Sequence, residues 1–277
     1  GNIVKITKYI PGETYTINAC IANQRVFISG LQYQITGYSE LTSGKGSTVG
    51  NDWSFGFKNL SNITRNRIFE STAKIGEIMA KEKFRGMFGI DLVVRGEEIY
   101  VIEINARQTA NIPMQTKLEL NSEIIPLSLI HLAEFLNIQI ESEPSKEIIP
   151  LEGSQVFLRA LSDGCKINSE IKPGVYRLQG DNSAVEWSFS ESDKSPEQKK
   201  DIITVDEESD KILVWQKNGY SIDEINNNEG FIIYSAKSGQ IKNQFDEIAR
   251  MQFKSQIVFS NKLLPWVLET MKSIRNL

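Results

Sequence analysis

The chain has 277 residues, 40% hydrophobic and 24% charged, with a formal net charge of −4. Such a composition suits a globular protein of about two domains and offers no basic face to nucleic acid or anionic lipid. Cys20 and Cys165 lie far apart, which argues against a disulfide framework or a cysteine metal motif, and no apolar run approaches the roughly 20 residues of a membrane helix.

In chain order, the opening GNIVKITKYI alternates and suggests a short strand ending at Pro11 and Gly12. It lacks the apolar core of a signal peptide, and the expected setting is the cytoplasm with both thiols reduced. TYTINACIA (14–22) and QRVFISGLQYQI (24–35) alternate in turn, and Asn23 and Gln24 suit a hairpin turn. TSGKGSTVGNDW (42–53), with Gly44, Gly46 and Gly50, reads as a mobile loop. Ser61 is a good N-cap for a helix to about Lys83, with Ile68, Thr72, Ile75, Ile78 and Met79 at helical spacing. GIDLVVRG and EIYVIEIN follow as two strands. A second helix is expected over 126–137, burying Leu129, Leu132, Ala133 and Leu136 and carrying His131 in a structural role.

The texture then changes. Residues 141–153, with two prolines and four acids, read as a linker. Residues 154–260 hold short apolar runs punctuated by Gly, Asn, Asp and Ser, which predicts an all-β module with a solvated excursion at SDKSPEQKKD. Residues 261–277 predict a helix with Pro265 near its start. The expected class is α+β: residues 1–140 an antiparallel sheet with helices, 141–153 a linker, 154–260 a β-rich module, and 261–277 a terminal helix.

One stretch carries chemistry. In YVIEINARQTAN (100–111), Glu103, Asn105 and Arg107 fall at alternate positions. Strand side chains alternate faces, so these three share one face while Ile102, Ile104 and Ala106 would fill a core on the other. The preceding strand carries a single acid, Asp91. A hairpin centred on Glu97 places Asp91 directly opposite Glu103, with Cβ atoms about 4.5–5.5 Å apart. Two like charges so close repel, and a hard divalent cation removes the penalty, because Mg²⁺ is held by one or two carboxylates together with substrate phosphates. Asn105 adds a neutral oxygen, and Arg107 a cation for the anions that the metal gathers. The competing reading is a solvated outer sheet face.

GMFGIDLVVRGEEIYVIEINARQTA resembles the metal-binding hairpin of the ATP-grasp superfamily. In that family an acid, followed about a dozen residues later by Glu-x-Asn, holds two Mg²⁺ ions that bridge the ATP phosphates. Asp91, Glu103 and Asn105 match those positions, and Arg107 matches the arginine that biotin carboxylases place beside the acyl phosphate. ITKYIPGETYTINACI looks like the family's hinge, where Lys8, Tyr9 and Ile10 would line the adenine. Lys45, in the glycine-containing loop, would be a phosphate contact; the competing reading of that loop is an idle surface segment. The resemblance covers about residues 3–137. It implies that a glycine-rich phosphate loop, paired lysines and a preceding domain lie upstream, so the chain is expected to be the C-terminal part of a larger enzyme.

The implied reaction is ATP-dependent. A carboxylate attacks the γ-phosphate of ATP, and an amine or thiol displaces phosphate from the resulting acyl phosphate, with Mg²⁺ or Mn²⁺ as cofactor and small molecules as partners. Biotin carboxylases place a catalytic glutamate at the position of Asn111, so the resemblance favours carboxylate–amine or carboxylate–thiol ligation over bicarbonate chemistry. The alternative is a regulatory module that retains the fold and binds nucleotide without turnover.

Overall fold

The computed structural model describes residues 7–44, 46–169, 171–178, 213–219, 221–226 and 229–276. They fall into two units. One is drawn from Gly1–Thr36, Gly50–Ser154 and Val258–Lys262, the other from Gly37–Val49, Gln155–Ile257 and Leu263–Leu277. The class is α+β, with antiparallel sheet, few helices and a helix at the C-terminal end.

In chain order the first elements are β1 (Glu13–Ala22), β2 (Arg25–Thr36), β3 (Thr48–Asp52), α1 (Trp53–Lys58), α2 (Asn62–Lys81), β4 (Gly86–Arg95), β5 (Glu98–Asn105), α3 (Ile112–Asn121) and α4 (Leu127–Phe135). The first unit's antiparallel strands run in the order β5-β4-β1-β2, which makes β1 an interior strand and β5 an edge. Asn23 and Gln24 join β1 to β2 with φ of 48° and 60°. Two left-handed residues form the type I′ turn, whose twist matches that of the strands it joins.

Helices cover both faces of this sheet. Directly opposed residues share a face, and the pairs Cys20–Met87 and Cys20–Phe27 lie on one of them. There they form a cluster with Ala22, Ile112, Leu127 and Ile130, which brings in α3 and α4. On the other face, Gly76 of α2 lies so close to Val26 and Phe88 that a Cβ would meet their side chains at 2.6 and 3.2 Å. Ser61 caps α2 by accepting from the Thr64 N–H at 3.2 Å.

The second unit begins with β6 (Ser154–Arg159), β7 (Cys165–Lys166), β8 (Gly174–Leu178), β9 (Leu213–Lys217), β10 (Glu229–Ser235), β11 (Ile241–Lys242) and β12 (Glu247–Phe253). Its main strands run β6-β12-β10-β8-β9, and β7 pairs with β11. Two short strands, β13 (Val258–Phe259) and β14 (Lys262–Leu263), precede α5 (Pro265–Asn276). Helix α5 buries Val267, Thr270, Met271 and Ile274 at helical spacing, and Arg275 donates to the backbone oxygens of Glu40 and Arg159.

Several sequence expectations change. Residues 7–11 form no strand; residues 4–6, Lys45 and 192–201 lie outside the described residues. The loop expected at 42–53 contains β3 and the start of α1, because Val49, Asn51, Asp52 and Trp53 are buried. Helix α2 buries Thr64, Ile68, Thr72 and Gly76, while Ile78 is exposed. Helix α3 has no counterpart in the sequence reading. Helix α4 turns the opposite way from expectation. It buries Leu127, Ile130 and Glu134 and exposes Leu129, Leu132 and Leu136. The sequence offers two apolar stripes here. The one chosen carries Glu134, which accepts from the Asn23 N–H at 2.8 Å and pairs with Arg85 at 3.5 Å. Among the described residues no helix is long and apolar enough to cross a membrane.

Candidate active site

The face of β1 that carries Cys20 at one end becomes polar toward the other. Cys20, Asn18, Thr16 and Thr14 follow one another on it, facing Met87, Gly89, Asp91 and Val93 of β4. On β2 the same face carries Ser29 and Gln32. Asn18, Thr16, Ser29 and Gln32 are buried, on strands whose other residues are mostly apolar. A polar row within an interior strand needs partners, and here the site supplies them to Thr16, Asn18 and Gln32.

Asp91 stands directly across from both Thr16 and Glu103. The Asp91–Glu103 pairing agrees with the sequence reading, but the route to it differs. The turn is the two residues Gly96 and Glu97, which pairs Arg95 with Glu98; a bulge between Asp91 and Leu92 then shifts the register by one. A bulge inserts an extra residue on one strand and breaks its alternation. The expectation that Ile102, Ile104 and Ala106 fill a core does not hold. Val101, Ile102 and Ile104 are 43%, 48% and 44% exposed, and Ala106 is exposed, because β5 is the sheet edge.

Asp91 is half-buried, and both of its oxygens accept hydrogen bonds. Its Oδ1 accepts from Thr16 Oγ1 at 2.6 Å and from Gln34 Nε2 at 2.8 Å. Its Oδ2 accepts from Asn105 Nδ2 at 3.1 Å. The Asn105 amide oxygen in turn accepts from Arg107 Nη2 at 3.2 Å. Glu103 is exposed. Among the described residues neither carboxylate has an ion pair, and no third acid, histidine or cysteine joins them.

Arg107 is not on the strand. β5 ends at Asn105, and the chain turns there, the Arg107 N–H donating to the Asn105 carbonyl at 2.7 Å. The guanidinium therefore folds back beside Asn105 instead of projecting further along the sheet. The following residues are pinned from below. Thr109 donates to Asn18 Oδ1 at 2.9 Å and also bonds Asn111. Asn111 Nδ2 donates to Gln32 Oε1 at 2.8 Å. Asn18 Nδ2 donates to Gln115 Oε1 at 2.6 Å, and Gln115 Nε2 to Glu119 at 2.8 Å. Burial pushes the Glu119 carboxyl above its ordinary pKa, while the Leu127 N–H gives it a further donor at 3.1 Å. Asn111 is thus a buried structural link with no free base.

Asp91, Glu103, Asn105 and Arg107 are brought together. Lys8 and Tyr9 are exposed on the segment before β1, and Ile10 is partly buried. No hydrogen bond or ion pair among the described residues joins these three to the hairpin. Thr16, Asn18, Gln32 and Gln34 escaped the sequence reading. Their signal was present as polar residues at alternate positions in otherwise apolar strands. Cys20 is inert: burial pushes its thiol up to about 12.

Residues 2–111 match the family described as the ATP-grasp domain. This part of the chain is similar to that domain. One solved structure shows the same fold, and two others give lower scores. Biotin carboxylase from Campylobacter jejuni, determined as a β-γ-ATP complex, superposes with a TM-score of 0.53 at 13% identity, over 90% of this chain and 43% of that one. N5-carboxyaminoimidazole synthase from Aspergillus clavatus, in complex with ADP and 5-aminoimidazole ribonucleotide, gives 0.48 at 10% identity, covering 94% and 52%. Phosphoribosylglycinamide synthetase from Anaerococcus prevotii gives 0.46 at 14% identity, covering 97% and 53%. The chain spans less than half of the biotin carboxylase and about half of the other two. No curated protein sequence matches it. Asp91, Glu103 and Asn105 lie within the matched residues.

Proposed function

We propose that the chain is part of an ATP-grasp ligase that joins a carboxylate to an amine, or to a thiol, through an acyl phosphate, with ATP and Mg²⁺ or Mn²⁺. The observation that carries this reading is the register that sets Asp91 against Glu103, with Asn105 and Arg107 hydrogen-bonded in line behind them. The donor set suits a hard divalent cation. It is all oxygen, it includes two carboxylates without an ion pair among the described residues, and it lacks the histidine and cysteine ligands that softer metals select.

In this reading Asp91, Glu103 and Asn105 would hold the metal, which when bound would supply charge neutralisation at the nucleotide phosphates. Transfer of the γ-phosphoryl group is then mainly a matter of positioning and electrostatics. Arg107, planar and permanently charged, orients the acceptor carboxylate and steadies the acyl phosphate oxygens. Lys8, Tyr9 and Ile10 line the adenine. The substrates are small molecules, and the setting is the cytoplasm, where nucleotide and Mg²⁺ are abundant.

The test is Glu103→Gln in the full-length protein. The substitution removes one negative charge at an exposed site and keeps the shape. ATP-dependent ligation, followed as ADP release, is expected to fall at least a hundredfold, on the order of losing one preorganised charge contact, with an unchanged melting curve. Undiminished turnover would make Glu103 a surface residue and remove the reading.

A further inference from the structure

Asp91 owes its orientation to two residues of neighbouring strands. Thr16 stands opposite it in the β1–β4 ladder, is only 3% exposed and donates its hydroxyl proton to Asp91 Oδ1 at 2.6 Å. Gln34, on β2, donates through Nε2 to the same Oδ1 at 2.8 Å and also bonds Thr16 Oγ1. A carboxylate can rotate about its last torsion, which is broad and weakly restrained. Two donors converging on one oxygen remove that freedom. The other oxygen, Oδ2, is left turned to Asn105, on the strand that carries Glu103.

Nothing in the packing of an interior strand asks for this arrangement. An aliphatic residue in place of Thr16 would serve a β ladder equally well. The Thr16 hydroxyl has its proton on Asp91 and its oxygen against the Gln34 amide, so its hydrogen-bonding capacity is spent on orienting this one acid. Hydrogen-bonded partners that orient a ligating carboxylate commonly change metal affinity by about 10- to 100-fold when removed.

We propose that Thr16 and Gln34 are positioning residues for the metal site: they clamp Oδ1 of Asp91 so that Oδ2 is presented, with Glu103 and Asn105, to the cation. This rests on the ligase reading above. The rival is a purely structural role, in which three polar side chains satisfy one another in a buried row.

The experiment is Mn²⁺ binding in the presence of ATP, followed by electron paramagnetic resonance on the full-length protein, with melting curves alongside. Thr16→Val is expected to raise the Mn²⁺ Kd about tenfold, while Thr16→Ser, which restores the hydroxyl, stays within about twofold of wild type. Gln34→Leu, at a less buried position, should weaken Mn²⁺ in the same direction and covers the case in which Thr16→Val is poorly folded. Asp91→Asn separates the two layers of the argument. If it weakens Mn²⁺ while Thr16→Val and Gln34→Leu bind as wild type, the positioning role is overturned and the metal site stands. If Asp91→Asn leaves Mn²⁺ affinity unchanged, the metal site itself is wrong and the positioning role falls with it.

Discussion

Arg107 sits just past the end of β5 with its guanidinium on the Asn105 amide oxygen and the Gln108 carbonyl. It has no ion pair among the described residues, so its charge is available to an anion. Its fork suits a carboxylate or phosphate, and lysine cannot reproduce that geometry. On the ligase reading proposed above, Arg107→Lys in the full-length protein is therefore expected to slow ligation about a hundredfold with ATP affinity nearly unchanged. Turnover and nucleotide binding measured on the same variant decide it; a parallel fall in both would put Arg107 on the nucleotide. A different residue governs a pH response. His131 accepts from the Met87 N–H through Nδ1 at 3.3 Å, and burial holds its pKa below 6.5. The unfolded chain takes up the proton first. The stability this site contributes is complete above the unfolded value and is lost as pH falls through the folded one. On acidification from pH 7.5 to 5, the wild-type melting temperature should fall further than that of His131→Leu, compared by thermal scans across that range.

At the scale of elements, the site depends on two irregularities in otherwise regular strands. The bulge in β5 restores the Asp91–Glu103 register that a two-residue turn alone would miss by one. In β2 a second bulge, between the pairs Asn18–Ser29 and Thr16–Gln32, contains Gly30 at φ 73°. A Cβ there would lie 2.1 Å from the Gln115 side chain, which is the link between Asn18 and Glu119. Glycine is therefore required twice, for its left-handed backbone and for the space. Gly30→Ala is expected to cost roughly 2–4 kcal/mol, read from urea denaturation at pH 7. A loss below about 0.5 kcal/mol, the range of neutral surface changes, would mean that α3 is not held against β2 through Gln115.

On the scale of the whole molecule, the two units are not consecutive lengths of chain. Residues 37–49 belong with the second unit and 258–262 with the first. The exposed residues 141–143 and 146–147 offer a protease its opening between them, near Pro144, and limited proteolysis is expected to cut at 141–147 before it cuts the hairpin at 88–107. After a cut at 141–147 each unit still contains segments from both sides of the nick. The nicked protein should therefore elute as one species in size-exclusion chromatography without denaturant. Two separating fragments would show that the units are contiguous in sequence.

Parity along a strand, turn chemistry and helix capping are local properties, and the sequence alone carried them. The shared face of Glu103 and Asn105, the hairpin turn at Asn23 and Gln24 and the cap at Ser61 were legible, because each depends on residues a few positions apart; the acid opposite Glu103 was named as well, but the bulge that sets that pairing was not foreseen. The partners of Asp91 were not. Thr16 and Gln34 are 75 and 57 residues away from it, and no periodicity encodes which strands become neighbours. The same limit hid the choice between the two apolar stripes of α4, which was made by Asn23 and Arg85 bonding Glu134 from elsewhere in the chain. It hid the exposure of Ile102 and Ile104 as well, since β5 is an edge only once the strand order is known. Strand order, register slips and buried polar pairings are decided by which distant surfaces desolvate together, and that free energy exists only in the assembled fold.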